Sequence, residues 1–262
     1  MPEGHTVHRL AMDHSQWFAG QQLGVFSPQG RFAEEAERLD GQTFLRAEAH
    51  GKHLFHYWSE GDISHIHLGL YGKFRKQKNP AAEPRGAVRM RLIGQTHTLD
   101  LNGPNQCELL DPPMREKLLA RLGEDPLRDD ADPEKVWLRM QKSRTAIGNL
   151  LLNQAVIAGI GNIYRAEILF ITGICPDRPA NQISQDEFQQ IWDLSVDLLK
   201  TGVKYNRIIT VDRDTLGKPL SRANARESTW IYKATICPRC DSDVYYWDLG
   251  NRTIYACQNC QT

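Results

Sequence analysis

The sequence predicts an α+β chain of two domains: a helix leading into an antiparallel β-sandwich, then a helical region that ends in a small cysteine-bound hairpin. Three observations carry this prediction. Apolar residues repeat first at helical spacing, then in short runs broken by Gly, Asn, Asp or Pro, and return to helical spacing after an acidic, proline-bearing stretch. Four of the six cysteines stand as two Cys-x-x-Cys pairs at the end of the chain. With 262 residues the chain has room for two modules, since domains run to about 100–200 residues.

The opening helix is expected over residues 3–18, where Val7, Leu10, Ala11, Trp17 and Phe18 share a stripe with His14, and Gly20 is a stop signal. Pro2 suits its first position, because proline has no N–H to leave unsatisfied. Strands are expected at 43–49, 53–58, 63–70, 87–93 and 96–101, with a mobile loop from Asn79-Pro80 to Gly86. Asp111-Pro112-Pro113 closes this part, and a linker or hinge is expected up to about Pro133. Helices follow at 135–140, 145–155 and 162–171. Ser184-x-x-Glu187 is a capping box ahead of the apolar face Phe188, Ile191, Trp192, Leu198 and Leu199. Between the cysteine pairs, residues 244–247 and 253–255 predict two strands joined at Leu249-Gly250-Asn251.

Composition is that of a soluble globular protein, 40% hydrophobic and 24% charged. No apolar run approaches the length of a membrane span and no secretory signal is evident, so a cytoplasmic location is expected. The net charge is zero, but it is unevenly placed: residues 73–91 carry seven Lys/Arg against Glu83, residues 200–233 eight against three acids, and residues 124–134 six acids against Arg128. Basic stretches apart from an acidic linker suit a polyanion on one face, and equally an ordinary solvated surface.

Met1-Pro2-Glu3-Gly4 is the stretch with the most chemistry. Removal of Met1 would leave Pro2 as a secondary amine titrating near about 7.7–8.0. Such an amine attacks an aldehyde carbon to give an iminium, an electron sink for covalent catalysis, and Glu3 beside it can move a proton. Met-Pro-Glu also opens many proteins without meaning. Cys237, Cys240, Cys257 and Cys260, with sixteen residues between the pairs, predict one structural zinc in a reducing compartment, since four thiolates leave no open position for catalysis. Arg252 near the hairpin tip is either a phosphate fork or a solubilising charge. Gly159-Ile160-Gly161-Asn162 leads into a helix N-terminus able to bind phosphate, or is a tight helix–helix turn. Gly51-Lys52 opens a strand, placing Lys52 either toward a phosphate or in solvent. In His67-Leu68-Gly69-Leu70-Tyr71-Gly72, Leu70 and Tyr71 form either an exposed apolar wedge of the kind that fills a vacated base stack, or an ordinary strand end, and His67 can donate to phosphate.

Together these motifs resemble the formamidopyrimidine-DNA glycosylase/endonuclease VIII (Fpg/Nei) family of bifunctional DNA glycosylases. The resemblance spans Pro2-Glu3-Gly4, Gly51-Lys52, residues 67–72, residues 158–164 with Glu167-Ile168-Leu169-Phe170, and the terminal cysteines with Gly250-Asn251-Arg252-Thr253. It implies a catalytic β-sandwich domain at 1–124, a helix–two-turn–helix DNA-binding domain at 125–222 and a zinc finger at 223–262, with damaged DNA between the halves. It implies that Pro2 attacks C1′ of the damaged nucleotide, that Glu3 transfers protons and that Lys52 holds a phosphate at the active site. It places Asn162, Arg252 and Lys142 on the DNA backbone, with Leu70 and Tyr71 in the void. It implies base removal followed by β- and δ-elimination, with no cofactor beyond the structural Zn2+, and a monomer.

Two positions depart from the family's pattern. His5 and Thr6 stand where members commonly read Pro-Glu, removing a second carboxylate. Gly69 stands where endonuclease VIII members often carry Gln. Pro2-Glu3-Gly4 and Leu70-Tyr71 lean toward the endonuclease VIII branch, which prefers oxidised pyrimidines. The alternatives are the purine-directed sister activity and a zinc protein that binds damaged DNA without reacting. Cys107 and Cys175 are expected to be buried apolar fillers.

Overall fold

The computed structural model describes residues 2–225 and 227–262. Met1, whose removal is expected, and Arg226, one of the basic residues of 200–233, lie outside the described residues. The chain divides into two compact units, Met1–Arg121 and Leu122–Thr262.

Helix α1 spans Gly4–Phe18 and buries Val7, Ala11, His14 and Phe18, a spacing that keeps one face inward. It begins later than the sequence predicts. Glu3 is its N-cap, with φ −118° and ψ −179°, and the Glu3 carbonyl accepts from Thr6 N (2.9 Å) and Val7 N (3.4 Å). Pro2 therefore lies outside the helix, within reach of its positive end but not part of it.

Two antiparallel sheets follow. One has the order β1 (Gln21–Gln22), β3 (Thr43–His50), β4 (His53–Trp58), β5 (Ile63–His67), β9 (Gln106–Leu110); the other has β2 (Gly24–Phe26), β7 (Val88–Ile93), β8 (His97–Asn102), β6 (Lys73–Lys78). Phe44, Leu54, Trp58 and Ile66 of the first share one core with Val25, Met90, Leu92, Leu99 and Leu101 of the second, joined by Val7, Ala11 and Phe18 of α1. The predicted sandwich is thus present, and alternation supports it: Met90 and Leu92 join the shared core while Arg91 between them is on the other face, paired to Asp100.

The differences have local causes. Strand β6, Lys-Phe-Arg-Lys-Gln-Lys, shows no apolar alternation because it is an edge strand, paired only to β8. The strand expected to reach residue 70 stops at His67, where Gly69 turns the chain with φ +64°. Within the expected linker lies helix α3 (Pro112–Leu119), capped by Asp111, whose Oδ1 accepts from Met114 N at 2.7 Å. Asp-Pro-Pro is here a helix start rather than a break. A helix α2 (Ala33–Leu39) was also unforeseen.

The second unit contains α4 (Pro133–Gln141), α5 (Ile147–Leu150), α6 (Asn162–Thr172), α7 (Gln185–Tyr205), α8 (Arg213–Leu216) and a hairpin of β10 (Tyr245–Asp248) and β11 (Thr253–Ala256). Helix α7 has its capping box: Ser184 Oγ accepts from Glu187 N (3.2 Å), and Glu187 Oε2 from Ser184 N (2.8 Å). The helix expected over 145–155 is only the single turn α5, because Asn153 Oδ1 takes the Ala155 N–H at 3.0 Å and breaks the helical ladder. Helix α6 faces two cores. Tyr164, Ile168 and Leu169 pack with Trp137, Phe188 and Leu199, while Ala166 and Phe170 pack against Ile231, Val244 and Ile254 beside the cysteines. Among the described residues no helix is long and apolar enough to cross a membrane.

Candidate active site and metal centre

Pro2 is half-buried, whereas Glu3 is fully buried. His5, in the first turn of α1, is 3% exposed, and burial holds its pKa down to about 4. The residue next to Thr6, which stands in place of the family's second glutamate, is therefore a neutral imidazole at physiological pH.

Lys52 occupies a two-residue turn. His50 pairs with His53 across the hairpin, and Gly51 between them has φ +56°, which glycine adopts without strain. His53 in turn pairs with His67. The register brings Lys52 beside His67, whose pKa is lowered by burial first and then by the charges of His65 and Lys52. The predicted Lys52 and His67 are neighbours for this reason.

The sequence reading missed the group behind them. His65 Nδ1 lies 2.9 Å from Glu108 Oε1, and His65 Nε2 lies 2.8 Å from His53 Nδ1. The carboxylate accepts, so the His65 proton sits on Nδ1 and its Nε2 must accept from His53 Nδ1–H. This leaves the His53 Nε2 lone pair at the head of a carboxylate–imidazole–imidazole chain. The His53 ring is 4.9 Å from that of His67. Burial is the first cause of a depressed pKa in both, and holds His53 at about 3. The period-two placement of His65 and His67 on one strand face was the available signal.

Leu70 and Tyr71 stand out from the turn after β5, 46% and 81% exposed. Gly72 N bonds Leu68 O at 3.0 Å, and a Cβ at Gly72 would strike the Leu68 backbone. The glycines thus make the tight turn that presents the two side chains.

In the second unit, Asn162 opens α6 behind Gly161 and is only 7% exposed. Its amide Nδ2 donates to Thr253 O of the hairpin at 2.9 Å. Arg252 is exposed on the hairpin turn, and Lys142 is exposed at the C-cap of α4. Glu167, fully buried on α6, accepts from the backbone N of Trp230 (2.6 Å), Ile231 (2.9 Å) and Tyr232 (2.8 Å), and from Thr210 Oγ1. Burial pushes its carboxyl up, and these four donors pull it back. It ties the segment entering the cysteine module to α6.

Cys237, Cys240, Cys257 and Cys260 place their sulfurs within 4.8 Å of one another. Cys237 Sγ to Cys260 Sγ is 3.8 Å, and Cys240 Sγ to Cys257 Sγ is 3.5 Å. A tetrahedral ion with bonds of about 2.3 Å requires sulfur separations near 3.8 Å, so the set fits a metal. Cys107 is buried in the sandwich core, as expected, whereas Cys175 is only partly buried.

A two-sheet sandwich with a buried N-terminal glutamate, followed by a helical unit and a four-cysteine hairpin, defines an architecture with known counterparts. Residues 1–107 match the formamidopyrimidine-DNA glycosylase N-terminal domain, and residues 122–214 match the formamidopyrimidine-DNA glycosylase H2TH domain. The chain is 44% identical over 268 residues to endonuclease 8 1 of Mycobacterium tuberculosis, covering all of both chains. It is 30% identical over 244 residues to formamidopyrimidine-DNA glycosylase of Thermomicrobium roseum, covering 86% of this chain and 84% of that one. The fold matches Lactococcus lactis Fpg, solved in complex with DNA containing an abasic site, with a TM-score of 0.82 over 99% of both chains at 21% identity. The chain belongs to the formamidopyrimidine-DNA glycosylase/endonuclease VIII family of DNA glycosylases, and it is a homologue of endonuclease 8.

Proposed function

We propose that the protein excises oxidised bases from DNA, pyrimidines in preference, and then nicks the strand as an abasic-site lyase. The observation that carries this is the pairing of a half-buried Pro2 with a fully buried Glu3 at the mouth of α1, in a family member 44% identical to a protein named endonuclease 8 1. The Pro2 nitrogen attacks C1′, and the C1′–base bond breaks with its electron pair leaving on the base. Glu3 relays a proton at the sugar as the ring opens to an iminium. Loss of a C2′ proton then expels the 3′ phosphate, and a second elimination expels the 5′ phosphate. Lys52 and His67 hold the phosphate beside the damaged nucleotide, Leu70 and Tyr71 fill the vacated stack, and Asn162, Arg252 and Lys142 grip the backbone. The four cysteines hold one structural Zn2+, which supplies folding energy to the hairpin and no reaction step. The protein acts as an intracellular monomer on damaged DNA.

Borohydride trapping tests the amine. The Met-processed protein should become covalently joined to abasic DNA, and Pro2→Ala, which leaves only a primary amine at the chain's start, should weaken trapping while still binding. An untrappable wild type would sink the reading. The sister activity is favoured by Gly69, which completes His67-Leu68-Gly69-Leu70 without the endonuclease VIII glutamine. Cleavage of thymine-glycol and 8-oxoguanine duplexes side by side decides between them.

A further inference from the structure

Arg165 has no role in the reading above, yet it is fully buried on α6. A guanidinium stays charged at any ordinary pH, and burying it is costly unless its donors are filled. Both of its Nη groups are filled, from three directions. Nη1 donates to Leu249 O at 2.8 Å and to Gly148 O of α5 at 3.3 Å. Nη2 donates to Asn162 Oδ1 at 2.5 Å and to Arg252 O at 3.3 Å.

These partners are not scattered. Leu249 and Arg252 are the two ends of the hairpin turn, closed by Leu249 N to Arg252 O at 3.0 Å, with Gly250 and Asn251 at φ +70° and +58° between them. The turn has no slack around it. A Cβ at Gly250 would strike Asn149 Oδ1, and one at Gly148 would come within 2.7 Å of the Leu249 side chain. Asn162 is held from both sides, its oxygen by Arg165 and its nitrogen by Thr253 O. One guanidinium therefore touches the two residues assigned to backbone phosphate, Asn162 through its side chain and Arg252 through its carbonyl. The Arg252 side chain is left to project from a clamped backbone.

We propose that Arg165 is a positioning residue that locks Asn162 and Arg252 into a single phosphate-binding pair, so that a DNA strand engages both or neither. The proposal rests on the reading that those two residues contact phosphate. Only a planar fork serves here, because four acceptors in three directions exceed what one ammonium can reach.

The test is a double-mutant cycle on the full-length, metal-loaded protein, binding a labelled duplex that carries a tetrahydrofuran abasic analogue. Arg252→Ala should weaken binding roughly tenfold and lower the slope of log K against log salt by about 0.9, one phosphate contact. Arg165→Met should do the same with metal content unchanged. The double variant should bind within about twofold of Arg252→Ala alone, because coupled residues do not add. Arg165→Lys keeps the charge and should still show the reduced salt slope. Fully additive losses, or a wild-type slope in both Arg165 variants, would overturn the positioning role while leaving the phosphate reading intact. Arg252→Ala binding as tightly as wild type would remove the phosphate reading itself, and the proposal with it. Loss of metal in both Arg165 variants would assign the residue to folding of the hairpin and overturn the proposal.

Discussion

All nine histidines lie in Met1–Arg121, and all four clustered cysteines lie in Leu122–Thr262. The first unit's buried histidines and the second unit's Glu167 and Arg165 also meet burial in opposite ways. In the first, imidazoles are buried neutral. His14 Nδ1 meets His56 Nε2 at 3.0 Å beneath α1, and the remaining buried nitrogens of the pair, His14 Nε2 and His56 Nδ1, have no hydrogen-bond partner among the described residues. In the second, buried ionisable groups are surrounded by partners: Glu167 by four donors and Arg165 by four acceptors. Burial alone selects the neutral form, and a filled shell permits the charged one. The first unit is accordingly expected to respond to acid through its buried histidines, and the second to metal removal through the four cysteines that could hold a metal.

The largest effect should come from metal removal. A small structural site of four thiolates carries on the order of 10 kcal/mol of apparent binding free energy, all of it coupled to folding. Chelation should therefore erase hydrogen-exchange protection in β10, β11 and the segment 228–240, and leave the sandwich strands β3, β4 and β8 protected. Equal loss of protection in both units would break the comparison, since it would mean that the cysteine hairpin supports the whole chain.

Acid should act on the other unit. Burial holds His14 well below the usual imidazole range and His56 at about 3, while the unfolded chain takes up protons near 6.5. The stability contributed by the neutral pair is complete above about pH 6.5 and is lost as pH falls toward about 3. Below 6.5 the unfolded state binds more protons, so stability falls by up to about 1.4 kcal/mol per pH unit for each such histidine. The variant His14→Leu/His56→Leu should lose this share of the slope between pH 7 and 5 in urea unfolding, retaining what His5 and His53 contribute. An unchanged slope would show that the pair is not the acid-sensitive element. Comparing variant with wild type at each pH cancels the acid sensitivity of the cysteine site.

The same contrast explains what could be read in advance. Helix α7 was legible because Ser184, Glu187 and the apolar period lie close together in sequence, and the four-cysteine cluster because each cysteine pair is local. The sandwich was legible as a pattern, but β6 was not, since Lys73–Lys78 is specified by pairing with β8 rather than by its own alternation. The Glu108–His65–His53 chain needs the register of three strands, which no single segment contains. Arg165 in the middle of an apolar helix could equally have been a solvated charge until the hairpin turn, 84 to 87 residues away, was seen to supply its acceptors.

The smallest effect on stability should come from Tyr71, and it separates the two units by function. At 81% exposure its truncation removes almost no packing, so Tyr71→Ala should change stability by no more than about 0.5 kcal/mol. If the side chain fills the gap left by an extruded base, the variant forfeits a stacking contact worth about 1–3 kcal/mol, or roughly 5- to 150-fold in activity on a lesion-bearing duplex. A single-stranded substrate, with no paired stack to repair, should lose far less. The salt slope should stay at its wild-type value, because no phosphate contact is removed, whereas Arg252→Ala should lower it. A Tyr71→Ala enzyme equally impaired on single and double strands would place Tyr71 in general substrate binding and remove the wedge from the sandwich unit.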